Sequence, residues 1–378
     1  MIPVAPFITN HVLREDWRGY TWLRKAICWS KGVEQDGVVM LLARMRKGER
    51  YSSEGCYCER QVPALLLDKS NKPKRDGMMT TSVAPFRLKP WFSERVWGKK
   101  DLRPWYSDTG TSELVGEAWL TGPQCIVETG LFAGQTLATV AAQVGGEFPL
   151  LVKLLFPNEK LSVQVHPDDA QAQAAGEARG KTECWYVLEA EPGAYVSLGL
   201  KKGVAVADVA ASVANGTMES LIEQVPVSVG DMLFVDAGTV HAIGPGVVLL
   251  ETQQTSDVTY RLYDYGRPRE LHLAKGLAVI KTETAAGKVA PRKMDGFTRL
   301  IEQKYFVVDR FELDEASEVA VPFDGPGCLV GLAGSGVVIT VDGDVELTPG
   351  RAVVVPQGDV GVVVETGAGV AFVRCFAP

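Results

Sequence analysis

The stretch Gly230-Asp-Met-Leu-Phe-Val-Asp-Ala-Gly238-Thr-Val-His241 returns in outline as Gly350-Arg-Ala-Val-Val-Val-Pro-Gln-Gly358-Asp-Val-Gly361. Both copies begin on glycine and run through five residues, mostly branched or large and apolar, to an Asp or Pro followed two places on by a second glycine. A run of this composition between glycine and proline reads as a strand entering a tight turn. After two more residues comes the position that the turn delivers to the interior: His241 in the first copy and Gly361 in the second. The repeat therefore predicts two similar β units, of which only the first has a metal-binding side chain at this place. The chain has four histidines and none follows His272, which agrees.

Outward from the repeat, short β-branched and aromatic runs recur between Gly and Pro: Leu150 to Phe156, Leu161 to Val165, Trp185 to Leu188, Val247 to Leu250 and Thr259 to Tyr263. That spacing predicts antiparallel strands closed into a barrel or jelly roll. Two stretches break the pattern. Val204 to Val225 has apolar residues at helical intervals, and Pro167 to Arg179 is rich in Ala and Gln after Asp168-Asp169, which reads as a helix cap. Both are expected to be helices inserted between strands.

These residues resemble the cupin superfamily, whose second motif, Gly-x5-Pro-x-Gly-x2-His, is matched by Gly230 to His241 with Asp236 in the proline position. More narrowly, the chain resembles the type I mannose-6-phosphate isomerase (phosphomannose isomerase) family in its compact bacterial form. Leu161-Ser-Val-Gln-Val-His-Pro-Asp-Asp169, Gly180-Lys-Thr-Glu-Cys-Trp-Tyr186, His241-Ala-Ile-Gly244 and Glu251-Thr-Gln-Gln-Thr-Ser-Asp-Val-Thr-Tyr-Arg-Leu-Tyr-Asp264 carry the likeness, which covers about residues 83–378. It implies a mainly β fold of two cupin-type jelly-roll barrels with inserted helices. The expected division is an atypical N-terminal extension over residues 1–78, a catalytic barrel over 79–288 and a metal-free cupin-like barrel over 289–378.

Gln164 and His166 stand two apart, so on a strand they share a face. With Glu183 and His241 they form a mixed nitrogen and oxygen set suited to one zinc ion with a position left open. Gln164 is the weakest ligand of the four, since a neutral amide also serves by orienting His166. The guanidinium of Arg261 suits bidentate capture of an oxyanion or phosphate, and the resemblance gives this position a catalytic role. Lys181 stands two before Glu183, and Lys153 is a lone cation in an apolar strand, where burial is costly without an anion. Both are candidates for holding the sugar phosphate or polarising a hydroxyl. Glu251, Asp257 and Lys181, in that order, are the candidates for moving a proton; the competing role for Asp257 is a structural ion pair with Arg261, four residues on. His272 reads as structural.

The reaction the resemblance implies is interconversion of D-mannose 6-phosphate and D-fructose 6-phosphate through a zinc-stabilised cis-enediol. Two other readings are a different metal-dependent cupin enzyme, such as an iron oxygenase, and a non-catalytic sugar-phosphate sensor. The basic set of Lys153, Lys181 and Arg261 argues for an anionic sugar over the first, and the intact ligand set argues against the second.

Composition bounds these readings. The net charge is −7, but residues 1–78 carry 14 Lys and Arg against 9 Asp and Glu, a net +5, and the remainder 25 against 37, a net −12. An acidic body offers no continuous basic surface for nucleic acid. The early apolar run Val38 to Ala43 is too short for a membrane span or a signal core, so the cytoplasm is the expected location. Seven scattered cysteines fit free thiols, and Cys56-x-Cys58 is too close for a zinc knuckle. Residues 1–78 differ so much in character from the rest of the chain that the native start is expected near Met79. Oligomeric state is not legible.

Overall fold

The structure, a computed structural model, describes residues 83–144, 146–340, 343–356 and 360–378. The expected N-terminal extension and its cysteine pair lie outside them. The described chain is built from four antiparallel sheets of eight, seven, five and four strands.

The chain uses the repeat twice to cross between sheets. Met232–Val235 belongs to the seven-stranded sheet and His241–Ile243 to the five-stranded one; Ala352–Val355 belongs to the eight-stranded sheet and Val360–Thr366 to the four-stranded one. Gly230 and Gly350 both have positive φ, +92° and +72°, which an L side chain resists. Each crossing thus pairs a large sheet with a smaller one across an apolar interior. Between the seven- and five-stranded sheets lie Leu155, Trp185, Val187, Val196, Leu198, Leu233, Ile243 and Leu249. Between the eight- and four-stranded sheets lie Phe311, Val321, Leu329, Val338, Leu347, Val364 and Phe372.

The two sandwiches stand back to back. Strand alternation gives the seven-stranded sheet a second apolar face, with Val152, Leu154, Cys184, Tyr186, Met232 and Leu250, and it packs on Val308, Cys328, Val330, Val354, Val373 and Cys375 of the eight-stranded sheet. The boundary expected at residue 288 is not clean. Phe86–Lys89 pairs with Ala352–Val355 and with Ile126–Val127, so two early strands complete the C-terminal sheet. Only Pro90 separates Phe86–Lys89 from Trp91–Lys99, which runs in the seven-stranded sheet. Phe86 and Leu88 are buried in the shared core, which accounts for the exchange.

Helices cover the outer face of the five-stranded sheet, where Val163, Val165, Tyr260 and Leu262 meet Val209 and Val279. Val209 lies on Val206–Asn215, as the periodicity of Val204 to Val225 predicts, but the helical reading runs too far: Ile222–Pro226 is a strand. Its apolar residues happen to sit at helical spacing, and pairing with Tyr195–Leu200 decides its state. The second expected helix, read over Pro167 to Arg179, is shorter: Asp169–Ala174, capped by Asp168 in a reciprocal bond with Gln171 and ended at Ala175.

Candidate metal centre

Register brings the candidate ligands together. In the five-stranded sheet His241 is opposite Gln164, and Gln164 is opposite Arg261, so the three form one row on one face. In the facing seven-stranded sheet Glu251 is flanked by Lys153 and Trp185, and Glu183 is opposite Gln253 one step along. The site lies between these two rows.

His166, Glu183 and His241 are buried, and ligand atoms of all three lie within 4.8 Å of one another, which makes them a group able to hold a metal ion. His166 Nε2 is 3.6 Å from Glu183 Oε2, and His241 Nε2 is 3.5 Å from Oε1. The other ring nitrogens are engaged: His166 Nδ1 is 2.9 Å from the Val258 carbonyl oxygen and His241 Nδ1 is 2.9 Å from that of Thr239. A carbonyl can only accept, so both Nδ1 atoms carry the proton and both Nε2 lone pairs face Glu183. Burial, with the nearby Lys181 ammonium, holds His166 well below its usual 6.5. Burial likewise pushes His241 down to about 4. Both imidazoles are therefore neutral at neutral pH, the form that ligates.

Glu183 is fully buried, and neither of its oxygens has a partner with hydrogen-bond geometry. Lys181 Nζ is nevertheless 2.6 Å from Oε2, an ion pair by distance. A buried carboxylate without hydrogen-bond partners, met by two imidazole lone pairs and countered by only one ammonium, fits a divalent cation of borderline softness, since an incompletely satisfied polar group is costly in a dry interior. The Gln164 amide is 3.2 Å from His241 Nε2. Sequence alone offered His166 as the ring that this amide orients; the register sets it beside His241 instead.

Around this centre lies a dense set of charges. Lys181 Nζ is also 3.2 Å from His166 Nε2 and 4.0 Å from Glu251 Oε1. Lys153, only 3% exposed, has Nζ 3.4 Å from Glu251 Oε2 and 3.3 Å from Asp257 Oδ1. Burial opposes both ammonium charges, but the carboxylates win: Glu251 and Asp257 raise Lys153, and Glu183 and Glu251 raise Lys181. Burial raises Asp257 in turn, yet Lys153 and Lys181 hold it below the usual carboxylate range. The ion pair of Asp257 is thus with Lys153. The Arg261 guanidinium instead donates from Nη1 to the Glu270 carbonyl oxygen at 2.8 Å, and its buried Nε has no partner. His272 accepts from the Arg261 backbone N–H at 3.2 Å and occupies the N-cap position of the helix Leu273–Val279, without a side-chain bond to its first turn.

Several contributors were not read from sequence. Trp185 donates to Glu251 Oε1 at 3.2 Å; its spacing of two from Glu183 was the available signal. Trp119 lies under Lys153, with Nζ 4.6 Å from the ring centroid. The carbonyls of Thr239 and Val258 are backbone atoms, for which no residue type speaks.

Residues 125–204 match the family model of the type I phosphomannose isomerase catalytic domain. The mannose-6-phosphate isomerase ManA of Bacillus subtilis is 37% identical over 265 residues, 64% of this chain and 82% of that protein. The mannose-6-phosphate isomerase of Streptococcus mutans is 34% identical over 274 residues, 67% of this chain and 86% of that protein. The crystal structure of a mannose 6-phosphate isomerase from Bacillus subtilis superimposes with a TM-score of 0.68 at 30% identity, covering 78% of this chain and 99% of the other.

Proposed function

Because the chain belongs to the type I mannose-6-phosphate isomerase family, we propose that it is an aldose-ketose isomerase interconverting D-mannose 6-phosphate and D-fructose 6-phosphate at the centre of His166, Glu183 and His241. The observation that carries this is the pair of neutral imidazoles aimed at a buried carboxylate that has no hydrogen-bond partner, with buried ammonium groups alongside. The donor set favours zinc, one ion per chain, with the Gln164 oxygen as a fourth ligand after a half-turn of its amide. Bound there, zinc would supply Lewis-acid stabilisation of negative charge on the two sugar oxygens next to the reacting carbons.

The residues divide the remaining work. Isomerisation removes a proton from C2, passes through the cis-enediol and returns a proton to C1. Glu251 is the base we assign: Trp185 and Lys153 aim its two oxygens, 3.2 and 3.4 Å away. Asp257 shares Lys153 with Glu251 but its side chain is half exposed, whereas Glu251 is buried beside the centre. Lys181, raised and so protonated, is suited to polarising a sugar oxygen. Arg261 keeps an unpartnered Nε for an oxyanion, and Lys153 with Arg261 gives the 6-phosphate its countercharge. Binding of that remote group helps hold the reacting carbons in place.

We take residues 79–288 as the catalytic half and 289–378 as the metal-free half, with Phe86–Lys89 and Ile126–Val127 lent to the second. The proposed compartment is the cytoplasm; the four described cysteines, Cys125, Cys184, Cys328 and Cys375, are buried free thiols. Among the described residues no helix is long and apolar enough to cross a membrane.

The test is a coupled assay for fructose 6-phosphate formed from mannose 6-phosphate. Chelation should abolish the activity and added zinc restore it. Full turnover by thoroughly metal-depleted protein refutes the reading, as does zinc-loaded protein without isomerase activity.

A further inference from the structure

Three consecutive backbone N–H groups lead into Glu183, and every one is tied down. Gly180 donates to Asp169 Oδ1 at 2.9 Å, Lys181 to the Pro167 carbonyl oxygen at 3.1 Å, and Thr182 to Gln254 Oε1 at 3.0 Å. Gln254 in turn donates from Nε2 to Asp169 Oδ1 at 2.9 Å. The Asp169 carboxylate is therefore the hub of this lattice. Its other oxygen, Oδ2, accepts from the Tyr305 hydroxyl at 2.7 Å.

Tyr305 belongs to the other sandwich. It lies in the turn between Thr298–Glu302 and Val307–Leu313, two strands of the eight-stranded sheet. Lys304 donates to the Tyr305 oxygen at 3.1 Å, which leaves the phenol proton directed at Asp169. One hydroxyl of the metal-free half thus reaches the segment that bears Lys181 and opens on Glu183.

We propose that Tyr305 is a positioning residue for the site: through Asp169 and Gln254 it fixes the Gly180–Thr182 backbone, and so holds Lys181 and Glu183 at their working distances. The proposal rests on the reading of Lys181 as a group that acts on substrate. Lys181 Nζ is within 2.6 Å of Glu183 and 3.2 Å of His166, so a small shift of its backbone changes both contacts. A misplacement of about 1 Å is enough to cost on the order of 100-fold in turnover. A second hydrogen bond between the sandwiches provides the comparison. Arg310 Nη1 donates to the Tyr186 hydroxyl at 3.0 Å, joining the same two halves without touching Gly180–Thr182.

The experiment uses the full chain with Tyr305→Phe, which removes one hydroxyl. In the zinc-loaded protein kcat should fall by about tenfold with KM within about twofold of the parent. In both metal-free and loaded protein, hydrogen exchange at the amides of residues 180–182 should quicken by about tenfold. Asp169→Asn should do the same, and the double variant should be no worse than Asp169→Asn alone. Arg310→Met should leave turnover and exchange at 180–182 unchanged. Parent-like kcat and exchange in Tyr305→Phe would overturn the proposal, and so would an equal effect of Arg310→Met. Lys181→Gln is run in parallel. If it retains full activity, the reading of Lys181 is what fails, while exchange at 180–182 still judges the lock by itself.

Discussion

Gly180 shows how little room the centre leaves at the scale of single residues. A Cβ there would stand 2.5 Å from the Asp168 carbonyl carbon, 2.5 Å from the Pro167 oxygen and 2.7 Å from the Asp169 nitrogen. All three are backbone atoms that cannot swing aside, so an added methyl forces the segment before Glu183 away from the one after His166. Gly180→Ala should therefore lower kcat by about 100-fold while the protein remains folded, because the displacement falls on Lys181 and Glu183. Steady-state kinetics beside circular dichroism decide it, and parent-like turnover would show that the two segments can part without harm. The same scale explains which site residues were legible. His166, Glu183 and His241 declare themselves by type and order, since few side chains ligate metals. The carbonyls that fix their tautomers do not, because any residue supplies one.

At the scale of elements the decisive relation is register. Period-two alternation sets Gln164 and His166 on one face from sequence alone. The row of Arg261, Gln164 and His241 depends instead on pairing between strands far apart in the chain, and no local pattern encodes that offset. For this reason sequence offered His166 as the ring Gln164 would orient if it were not a ligand, whereas its amide is found beside His241. Helices show the same limit. Leu273–Val279 contains Gly276, a poor helix former, yet a Cβ there would come 2.4 Å from Leu262 Cδ2; close packing on the sheet, not propensity, selects the residue.

Asp169 gives this scale a titration test. Burial raises its pKa, but hydrogen bonds from Tyr305, Gln254 and the Gly180 N–H outweigh that and hold it below its ordinary 3.8. A depressed carboxylate stabilises the fold above its unfolded value, and that contribution is lost as pH falls through the lower folded one. The difference in urea midpoint between the parent and Asp169→Asn should accordingly shrink as pH drops from about 5 to about 3. A difference independent of pH would mean that the charge of Asp169 contributes nothing to holding Asp169–Ala174 against Gly180.

At the scale of the whole molecule, the second sandwich encloses an ion pair where the first encloses its candidate metal ligands. Arg374 and Asp309 are buried as an ion pair, enclosed by Phe297, Phe311, Phe323 and Phe376. Arg374 also donates to the carbonyl oxygen of Pro322, the residue opposite Gly361. The strand that would present a counterpart of His241 is thus anchored by an arginine. The sequence repeat made the empty position legible; the substitute did not show, because Arg374 and Asp309 lie 65 residues apart.

The two halves nevertheless share one core, and the described residues form one compact unit. Strands exchanged across residue 288 bind the sandwiches further, so unfolding either should expose the apolar back of the other. Leu154→Ala, on the shared face, and Leu347→Ala, inside the C-terminal sandwich, each truncate a fully buried side chain. Each should cost about 2–5 kcal/mol. In both variants tryptophan fluorescence and near-ultraviolet circular dichroism should report a single coincident transition with an unchanged denaturant slope. Added zinc should move that whole transition upward, since a ligand bound only by the native state stabilises everything that unfolds with its site. If Leu347→Ala instead gave a separate early transition that left zinc binding intact, the C-terminal sandwich would be an independent unit, and an effect of Tyr305 on the centre would have to arise from its single hydroxyl rather than from a common fold.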